Sequence, residues 1–254
     1  MNKLLPWTEP RPYEFRHSLT EQATEDYELH CHAFYEAYYF IRGDVTYMIE
    51  GTYYALQPYT LLLIVPGTFH GMKINSSKPY ERYVLHFFQE LIPEDERAYL
   101  LSAFDKSGCY ENAKLLMSDY LFLDQLEALS PELTDRSMPH RLLALMYAVL
   151  QCCDVSRKES KMSWVQGIVD YIDENLAGTL SPEQIAKHFF ISRSCLESRF
   201  KKYTGSTLAY YIRRKRLAKA QHYISLGVSK GEAVLLAGFS DYSTFYRALR
   251  RDSV

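Results

Sequence analysis

The chain has 254 residues, of which 47% are hydrophobic and 24% are charged, a balance that excludes a wholly disordered protein and fits about two domains. Residues 161–254 hold 15 lysine and arginine residues against 8 acidic ones, whereas residues 1–160 hold 14 against 23. A basic part of this kind suits a polyanion, and the acidic part before it does not. The opening residues MNKLLPWTEP contain no apolar run of signal-peptide length, and LLLIV, the longest apolar stretch, is too short to cross a bilayer. We therefore expect a soluble, cytoplasmic protein that has no membrane partner.

Cysteine usage argues against a stapled fold. The five cysteines are odd in number, include an adjacent pair and lack CxxC spacing, which fits neither a disulfide framework nor a zinc ribbon. We expect reduced thiols, mostly buried.

Residues 1–93 predict a small β-domain. Short segments rich in Tyr, Val, Ile and Phe are typical of strands: EAYYFIRG, VTYMIEG, TYYAL, TLLLIVP and RYVLHFF. Glycine and proline punctuation separates these segments, as at Pro66 and Gly67. Closely spaced strands with such turns predict an antiparallel β-barrel that resembles a cupin.

Residues 94–153 change to helical spacing. Apolar residues lie three and four apart in AYLLSAF, AKLLMSDYLFLDQLEAL and RLLALMYAVL. These helices carry too many apolar positions to stand alone, so we expect them to pack against another surface. The polar run DVSRKESKMS, residues 154–163, contains no apolar cluster and is predicted to be a linker.

Residues 164–254 predict an all-helical domain. Ser181 as N-cap, Pro182 at the first helical position and Glu183 in the first turn mark the start of the helix in SPEQIAKHF. Ser192 can cap the next helix, SRSCLESRFKKYTG, whose Leu196 lies four residues before an inward-facing phenylalanine. Together these helices predict a helix-turn-helix unit.

A second copy of this pattern follows. SKGEAVLLAGFSDYSTFYRALRR gives a short helix, a glycine-containing turn and a helix capped by Ser240 or Asp241, and STLAYYIRRKRLAKAQHYISL joins the two copies. Each unit would place one helix in a major groove. The alternative interpretation is a pair of ordinary helical hairpins.

The segments LSPEQIAKHFFISRSCLESRFKKYTGSTLAYYIRRKRLAKA and GFSDYSTFYRALRR resemble the AraC/XylS family of transcription regulators over about residues 164–251. Phe200, Gly205, Arg216 and Ala220 stand at the expected spacings. The resemblance implies that two recognition helices enter successive major grooves on one face of the DNA, about 34 Å apart. It also implies dimerisation through the helices of residues 94–153, for which packing onto the barrel is the alternative.

The resemblance implies DNA contacts of two kinds. Side chains of the recognition helices would reach base edges: Ser194, Glu197, Ser198, Tyr242, Ser243, Tyr246 and Arg247. Cationic side chains would neutralise backbone phosphates: Arg193, Lys201, Lys202 and Arg250. Ser198 departs from the family pattern, which usually has an arginine there, and Lys230 and Ala233 stand at usually apolar positions of the second unit. From its place in the pattern, Arg216 is expected to be structural.

The stretch HCHAFYEAYYFIRG has the His-x-His-x3-Glu-x6-Gly spacing of the first cupin motif, and PGTFH matches the end of the second. The stretch resembles the sensor domain commonly joined to AraC-type DNA-binding domains. In metal cupins the equivalents of His30, His32, Glu36 and His70 ligate one ion, and this donor set suits Fe, Mn, Ni or Zn. Alternation along a strand would point His30 and His32 inward and Cys31 outward. We adopt the interpretation without a cofactor, in which these groups bind an organic ligand or each other, and keep the transition metal as the alternative.

Strand alternation from His32 puts Phe34, Glu36 and Tyr38 on one face, and these four residues with His70 form the predicted ligand-binding pocket. Aromatic walls with hydroxyl groups suit a sugar, whereas filling the core is the alternative role of each ring.

The sequence thus predicts a sequence-specific DNA-binding transcription regulator without enzyme activity, controlled by a small molecule such as a sugar. Its expected partners are double-stranded DNA, the effector, a second copy in a homodimer and RNA polymerase, with activation as the mode of action. One alternative is a metal-dependent cupin enzyme, an isomerase or dioxygenase, tethered to DNA. Another is a constitutive DNA-binding protein whose barrel only dimerises.

Overall fold

A computed structural model describes residues 13–21, 27–104, 108–111, 113–117, 120–121, 131–156 and 164–252. Its N-terminal part is a sandwich of two antiparallel β-sheets, which confirms the predicted β-domain. The strands are β1 (Tyr13–Thr20), β2 (Tyr27–His30), β3 (Tyr35–Arg42), β4 (Val45–Ile49), β5 (Thr52–Ala55), β6 (Thr60–Ile64), β7 (His70–Ile74), β8 (Tyr80–Phe87) and β9 (Gly108–Tyr110).

The pairing of the strands decides which side chains meet. One sheet has the order β1-β8-β3-β6-β9 and the other the order β2-β7-β4-β5. The register sets Glu36 of β3 opposite His86 of β8, and His30 of β2 opposite His70 of β7. Directly opposite residues have Cβ atoms about 4.5–5.5 Å apart, so these two pairs concentrate ionisable side chains.

Helices cover the outer face of the five-stranded sheet. They are α1 (Glu94–Leu100) and α2 (Pro131–Ser156), with 3₁₀ turns at Gln89–Leu91, Leu101–Phe104 and Ala113–Leu116. Leu142, Leu145 and Met146 of α2 are buried in one core with the outer side chains of the sheet. Apolar positions of α2 are therefore used within the chain, as the alternative to dimerisation expected. Strand β9 lies in the segment predicted to be helical, because the edge of β6 offers its backbone a partner.

The C-terminal part is helical and contains the two predicted helix-turn-helix units, which are confirmed. Its helices are α3 (Trp164–Glu174), α4 (Pro182–His188), α5 (Arg193–Thr204), α6 (Leu208–Ser225), α7 (Lys230–Leu236) and α8 (Tyr242–Asp252). Helices α4 and α5 form the first unit, α7 and α8 the second, and α6 joins them. In the second unit Lys230 is exposed, whereas Ala233 is fully buried beside Val234 in a core completed by Phe239 and Phe245.

Local hydrogen bonds explain where these helices begin. The Ser181 hydroxyl accepts from the Gln184 N–H at 3.2 Å, and the Gln184 side chain accepts from the Ser181 N–H at 2.9 Å, which completes a capping box. Ser192 caps α5 by accepting from the Cys195 N–H. Of the two candidates for the last helix, Asp241 caps α8, since its carboxylate accepts from the Thr244 N–H at 2.7 Å.

The predicted linker lies largely outside the described residues. Residues 154–156 form the last turn of α2, and residues 157–163 are not described. Among the cysteines whose side chains are described, Cys31, Cys109 and Cys195 are free thiols. No helix in the described part of the chain combines the length and the apolarity that spanning a membrane requires.

Candidate histidine–glutamate site and nucleic-acid interface

One carboxylate oxygen is the centre of the candidate site in the sandwich. Glu36 is only 4% exposed, and its Oε2 atom lies 2.9 Å from His32 Nε2, 3.1 Å from His86 Nε2 and 3.3 Å from His70 Nε2. Its other oxygen accepts a long hydrogen bond from the Tyr47 hydroxyl at 3.5 Å. The sequence predicted the proximity of Glu36, His32 and His70.

The outer nitrogen of each ring also faces an oxygen. His32 Nδ1 lies 3.0 Å from the Phe34 carbonyl oxygen, and His70 Nδ1 lies 2.9 Å from the Thr68 carbonyl oxygen. His86 Nδ1 lies 3.4 Å from a carboxylate oxygen of Glu14 on β1. All three imidazoles are thus oriented by groups outside the cluster.

His86 was missed by sequence reasoning because it belongs to neither motif. The signal that finds it is the strand register, which sets His86 opposite Glu36. His30 ends β2, and its ring centroid lies 4.3 Å from that of His70 and 5.8 Å from that of His32. The prediction that His30 and His32 alternate along one strand was wrong, since His32 lies in the loop after β2. Phe34 is half-buried and stacks on His32, with ring centroids 3.8 Å apart.

The electrostatics of the cluster separate the rings by charge. Burial lowers the pKa of His32 to about 3 despite its hydrogen bond to Glu36. Burial also opposes protonation of His86, but hydrogen bonds to Glu14 and Glu36 raise its pKa to about 9. Burial likewise opposes ionisation of Glu36, yet the three imidazoles hold the pKa of its carboxyl well below the ordinary value. With no bound ion, His86 is therefore cationic and His32 neutral at pH 7.

Tyrosines line the interior beyond Glu36. The Tyr38 hydroxyl, predicted to contact a ligand, is hydrogen-bonded to the Tyr80 hydroxyl, which also donates to Met72 Sδ at 3.0 Å. Tyr38 is 2% exposed and packs against Tyr47. The hydroxyl that a sugar would need already has a protein partner.

Two overlapping groups of side chains offer metal donors. His30, His32 and His70 form one group, and His32, Glu36 and His86 form the other, with the donor atoms of each group within 4.8 Å of one another. Imidazole nitrogens with a carboxylate are the donors of zinc and similar ions.

The helical domain packs against the sandwich through a buried ion pair. Lys215 of α6 is 5% exposed, and its Nζ atom lies 2.8 Å from Glu50, in the β4–β5 turn, and 2.6 Å from Asp173 of α3. Glu50 also accepts from the Tyr211 hydroxyl and from the Phe69 N–H at 2.9 Å. Burial opposes the charge of Lys215, but these two carboxylates hold its pKa above the usual value.

The same interface touches the neighbours of the site histidines. Cys31 lies between His30 and His32, is 2% exposed, and its carbonyl oxygen accepts from Arg214 Nη2 at 3.2 Å. Phe69 precedes His70, and its ring lies 4.4 Å from that of Tyr211 on α6. Cys31 and Phe69 share one hydrophobic core with the first helix-turn-helix unit.

The predicted DNA contacts of the first unit lie on α5. Ser194, Ser198, Lys201 and Lys202 are exposed. Arg193 is exposed too but pairs with Glu183 and, at 2.9 Å, with Glu197. Glu197 is thereby engaged at one oxygen, so both residues must exchange partners to contact DNA.

The second unit presents its predicted contacts on α8. Tyr242, Ser243, Tyr246, Arg247 and Arg250 are exposed, and the Arg250 guanidinium lies 5.2 Å above the Tyr246 ring. Between α8 and the first unit lies a cleft of about 650 Å³, lined in part by Arg213, Arg216, Arg247, Arg250 and Arg251.

The basic cluster of α6 is divided between structure and surface. Arg216 donates to the carbonyl oxygens of Leu176 at 3.1 Å and Gly178 at 2.8 Å, as its structural role predicted. Arg214 and Lys215 are buried against the sandwich. Arg213 remains half-buried and stacks on Tyr210.

Two family models match the chain, the AraC-like ligand binding domain over residues 12–150 and a helix-turn-helix domain over residues 185–252. The multiple antibiotic resistance protein MarA of Escherichia coli is 32% identical over 65 residues, 26% of this chain and 51% of MarA. The chain thus spans about half the length of the curated relatives it matches. Apo ToxT from Vibrio cholerae gives a TM-score of 0.45 at 11% identity, covering 95% of this chain and 94% of ToxT. The AraC-like transcriptional activator CuxR gives 0.37 at 22%, covering 74% and 68%.

Proposed function

The chain belongs to the AraC family of DNA-binding transcription regulators, and on that premise we propose that a small effector bound at the histidine–glutamate site controls how the two helix-turn-helix units engage DNA. The pocket of this proposal comprises His32, Phe34, Glu36, Tyr38 and His70, together with His86 from the structure.

The observation that carries the proposal is the double use of two short segments. Residues 30–32 present His30 and His32 to the site and the Cys31 carbonyl to Arg214 of α6. Residues 69–70 present His70 to the site and the Phe69 ring to Tyr211 of α6. A backbone shift that repositions a site histidine must therefore also move a contact of α6.

This arrangement meets the requirement for control by a ligand. An effector shifts an equilibrium only by its difference in affinity for the two states. Here the two states differ in whether Cys31, Phe69 and Glu50 hold α6. Because α6 joins both helix-turn-helix units, its position sets their spacing relative to the DNA grooves.

The proposed DNA contacts are the exposed side chains of α5 and α8. Arg193, Ser194, Glu197, Ser198, Lys201 and Lys202 belong to the first unit, and Tyr242, Ser243, Tyr246, Arg247 and Arg250 to the second. Arg247, at the edge of the arginine-lined cleft, is the contact whose removal should be most informative.

Further parts of the proposal are supported by family membership alone. They are a homodimer, contact with RNA polymerase, activation as the mode of action, and a cytoplasmic location beside the DNA. We also propose that the chain is not an enzyme, and the family matches give no support to the tethered cupin enzyme.

The test begins with selection of binding sites from a pool of random duplexes, followed by fluorescence anisotropy on the enriched site. Arg247→Ala should weaken binding about 10-fold, since one good base contact is worth about 1–3 kcal/mol. The matched control is Arg42→Ala, an exposed arginine of the sandwich paired with Glu81. Failure to enrich any duplex, or equal loss in both variants, would contradict the DNA-binding part.

The coupling part is tested on the same duplex with Tyr211→Phe. This change deletes only the hydroxyl that donates to Glu50 and leaves the recognition helices untouched. We expect DNA affinity to change at least about threefold. Unchanged affinity would contradict control through this interface.

A further inference from the structure

The histidine–glutamate site has more acceptors than its rings can satisfy. Each of the six nitrogens of His32, His70 and His86 lies 2.9–3.4 Å from an oxygen that accepts hydrogen bonds. A neutral imidazole carries one N–H and one lone pair. Three neutral rings therefore leave three lone pairs aimed at oxygen.

Protons alone are a poor solution to this imbalance. Satisfying all six nitrogens would place three positive charges beside two carboxylates, Glu36 and Glu14, in a site whose centre is buried. Isolated buried charge is strongly unfavourable. His70 is 0% exposed, and its Nε2 atom makes no hydrogen bond despite lying 3.3 Å from Glu36.

We propose that the effector is a divalent transition-metal ion held by Nε2 of His32, His70 and His86 and by Oε2 of Glu36, an inference that rests on the proposed function. Each Nδ1–H then donates outward, to Phe34, Thr68 or Glu14, and each Nε2 lone pair points inward. This arrangement is usual for metal-binding histidines, whose second nitrogen donates to a carbonyl or carboxylate.

The distances fit such an ion. Bonds of about 2.0–2.1 Å in a tetrahedron imply ligand atoms about 3.3 Å apart. The three nitrogens lie 2.9, 3.1 and 3.3 Å from Glu36 Oε2. Small outward movements of His32 and His86 would open the space.

The ligand set differs from the one that the motif spacing suggested. His86 of β8 takes the place of His30, and Glu14 of β1 orients it. The ion would join β3 and β8 of one sheet to β7 of the other. It would thereby fix His32 and His70, whose neighbours Cys31 and Phe69 contact α6.

Cobalt is the first probe, because Co²⁺ takes zinc sites and has a visible spectrum that reports its ligands. The full-length protein, stripped with chelator, should bind about one Co²⁺ with absorption bands that Zn²⁺ removes. His86→Ala should weaken binding at least 100-fold, and Glu14→Gln about 10-fold, the range for outer partners.

Two matched variants make the ligand assignment decisive. His30→Ala should retain Co²⁺ binding, and so should His17→Ala, which alters a β1 histidine that contacts Glu81 and stacks on Tyr83. Circular dichroism and thermal unfolding establish that each variant is folded. Absence of Co²⁺ and Zn²⁺ binding at micromolar concentrations would overturn the inference, as would His86→Ala binding like wild type or His30→Ala abolishing binding.

DNA affinity separates this inference from the proposed function. We expect Zn²⁺ to change the affinity for the selected duplex in wild type and not in His86→Ala. Metal binding that leaves DNA affinity unchanged overturns the effector role. If no metal binds but Tyr211→Phe still alters DNA affinity, the metal inference fails while control through the interface stands.

Discussion

The buried ion pair between the sandwich and α6 makes Lys215→Met a sharp test of how strongly the two parts are joined. Methionine retains the apolar stem of the lysine and removes a charge that lies 2.8 Å from Glu50 and 2.6 Å from Asp173. Removing one partner of a buried pair costs about 3–5 kcal/mol. Asp173 is half exposed and regains water, and Glu50 keeps two hydrogen bonds, so the low end, about 3 kcal/mol, is expected.

Urea unfolding of the full chain, followed by far-ultraviolet circular dichroism, measures this loss. Lys202→Met, at an exposed position of α5, is the control and should lie within about 0.5 kcal/mol of wild type. A double-mutant cycle with Glu50→Gln isolates the pair and should give a coupling energy of at least about 1.5 kcal/mol. A coupling energy below about 0.5 kcal/mol would refute the reasoning.

Three further predictions concern packing, capping and thiol chemistry. Gly51→Ala should destabilise the chain by about 2 kcal/mol more than Gly67→Ala, because both have φ near +80° but only at Gly51 would a Cβ meet Val165, at 2.8 Å; equal melting temperatures would contradict this. Ser181→Ala removes the capping box and should cost about 1 kcal/mol in urea unfolding, and a loss below about 0.3 kcal/mol would mean that the cap contributes little. Burial raises the pKa of Cys31 to about 12, so its thiol should resist iodoacetamide at pH 8 until urea unfolds the chain, as peptide mass spectrometry would detect; rapid labelling of folded protein would contradict the interface.

Local chemistry explains which parts of the fold were predictable. Helix starts follow from one side chain and its neighbours three residues on, so Ser181 and Ser192 identify their helices without tertiary information. Strands separated by glycine and proline turns are equally local. The proximity of His32, Glu36 and His70 followed from motif spacing, which a resemblance supplies.

Features that depend on pairing across the chain were not predictable in this way. His86 enters the site through the β3–β8 register, which a single sequence does not specify. The contact of Glu50 with Lys215 joins a turn of the sandwich to α6, and burial there turns a basic residue away from the surface. Arg193 lost its predicted freedom to Glu183 and Glu197, whose approach depends on the angle between α4 and α5.

The alternation of site and interface residues along residues 30–32 and 69–70 has a consequence for how such a protein can evolve. A substitution of His32 or His70 alters recognition and also displaces a backbone that bears α6, so specificity and response are inherited together there. His86 and Tyr38 lie on strands of the opposite sheet and are free of that linkage. Relatives that answer a different signal while keeping the same output should therefore differ first at these two positions.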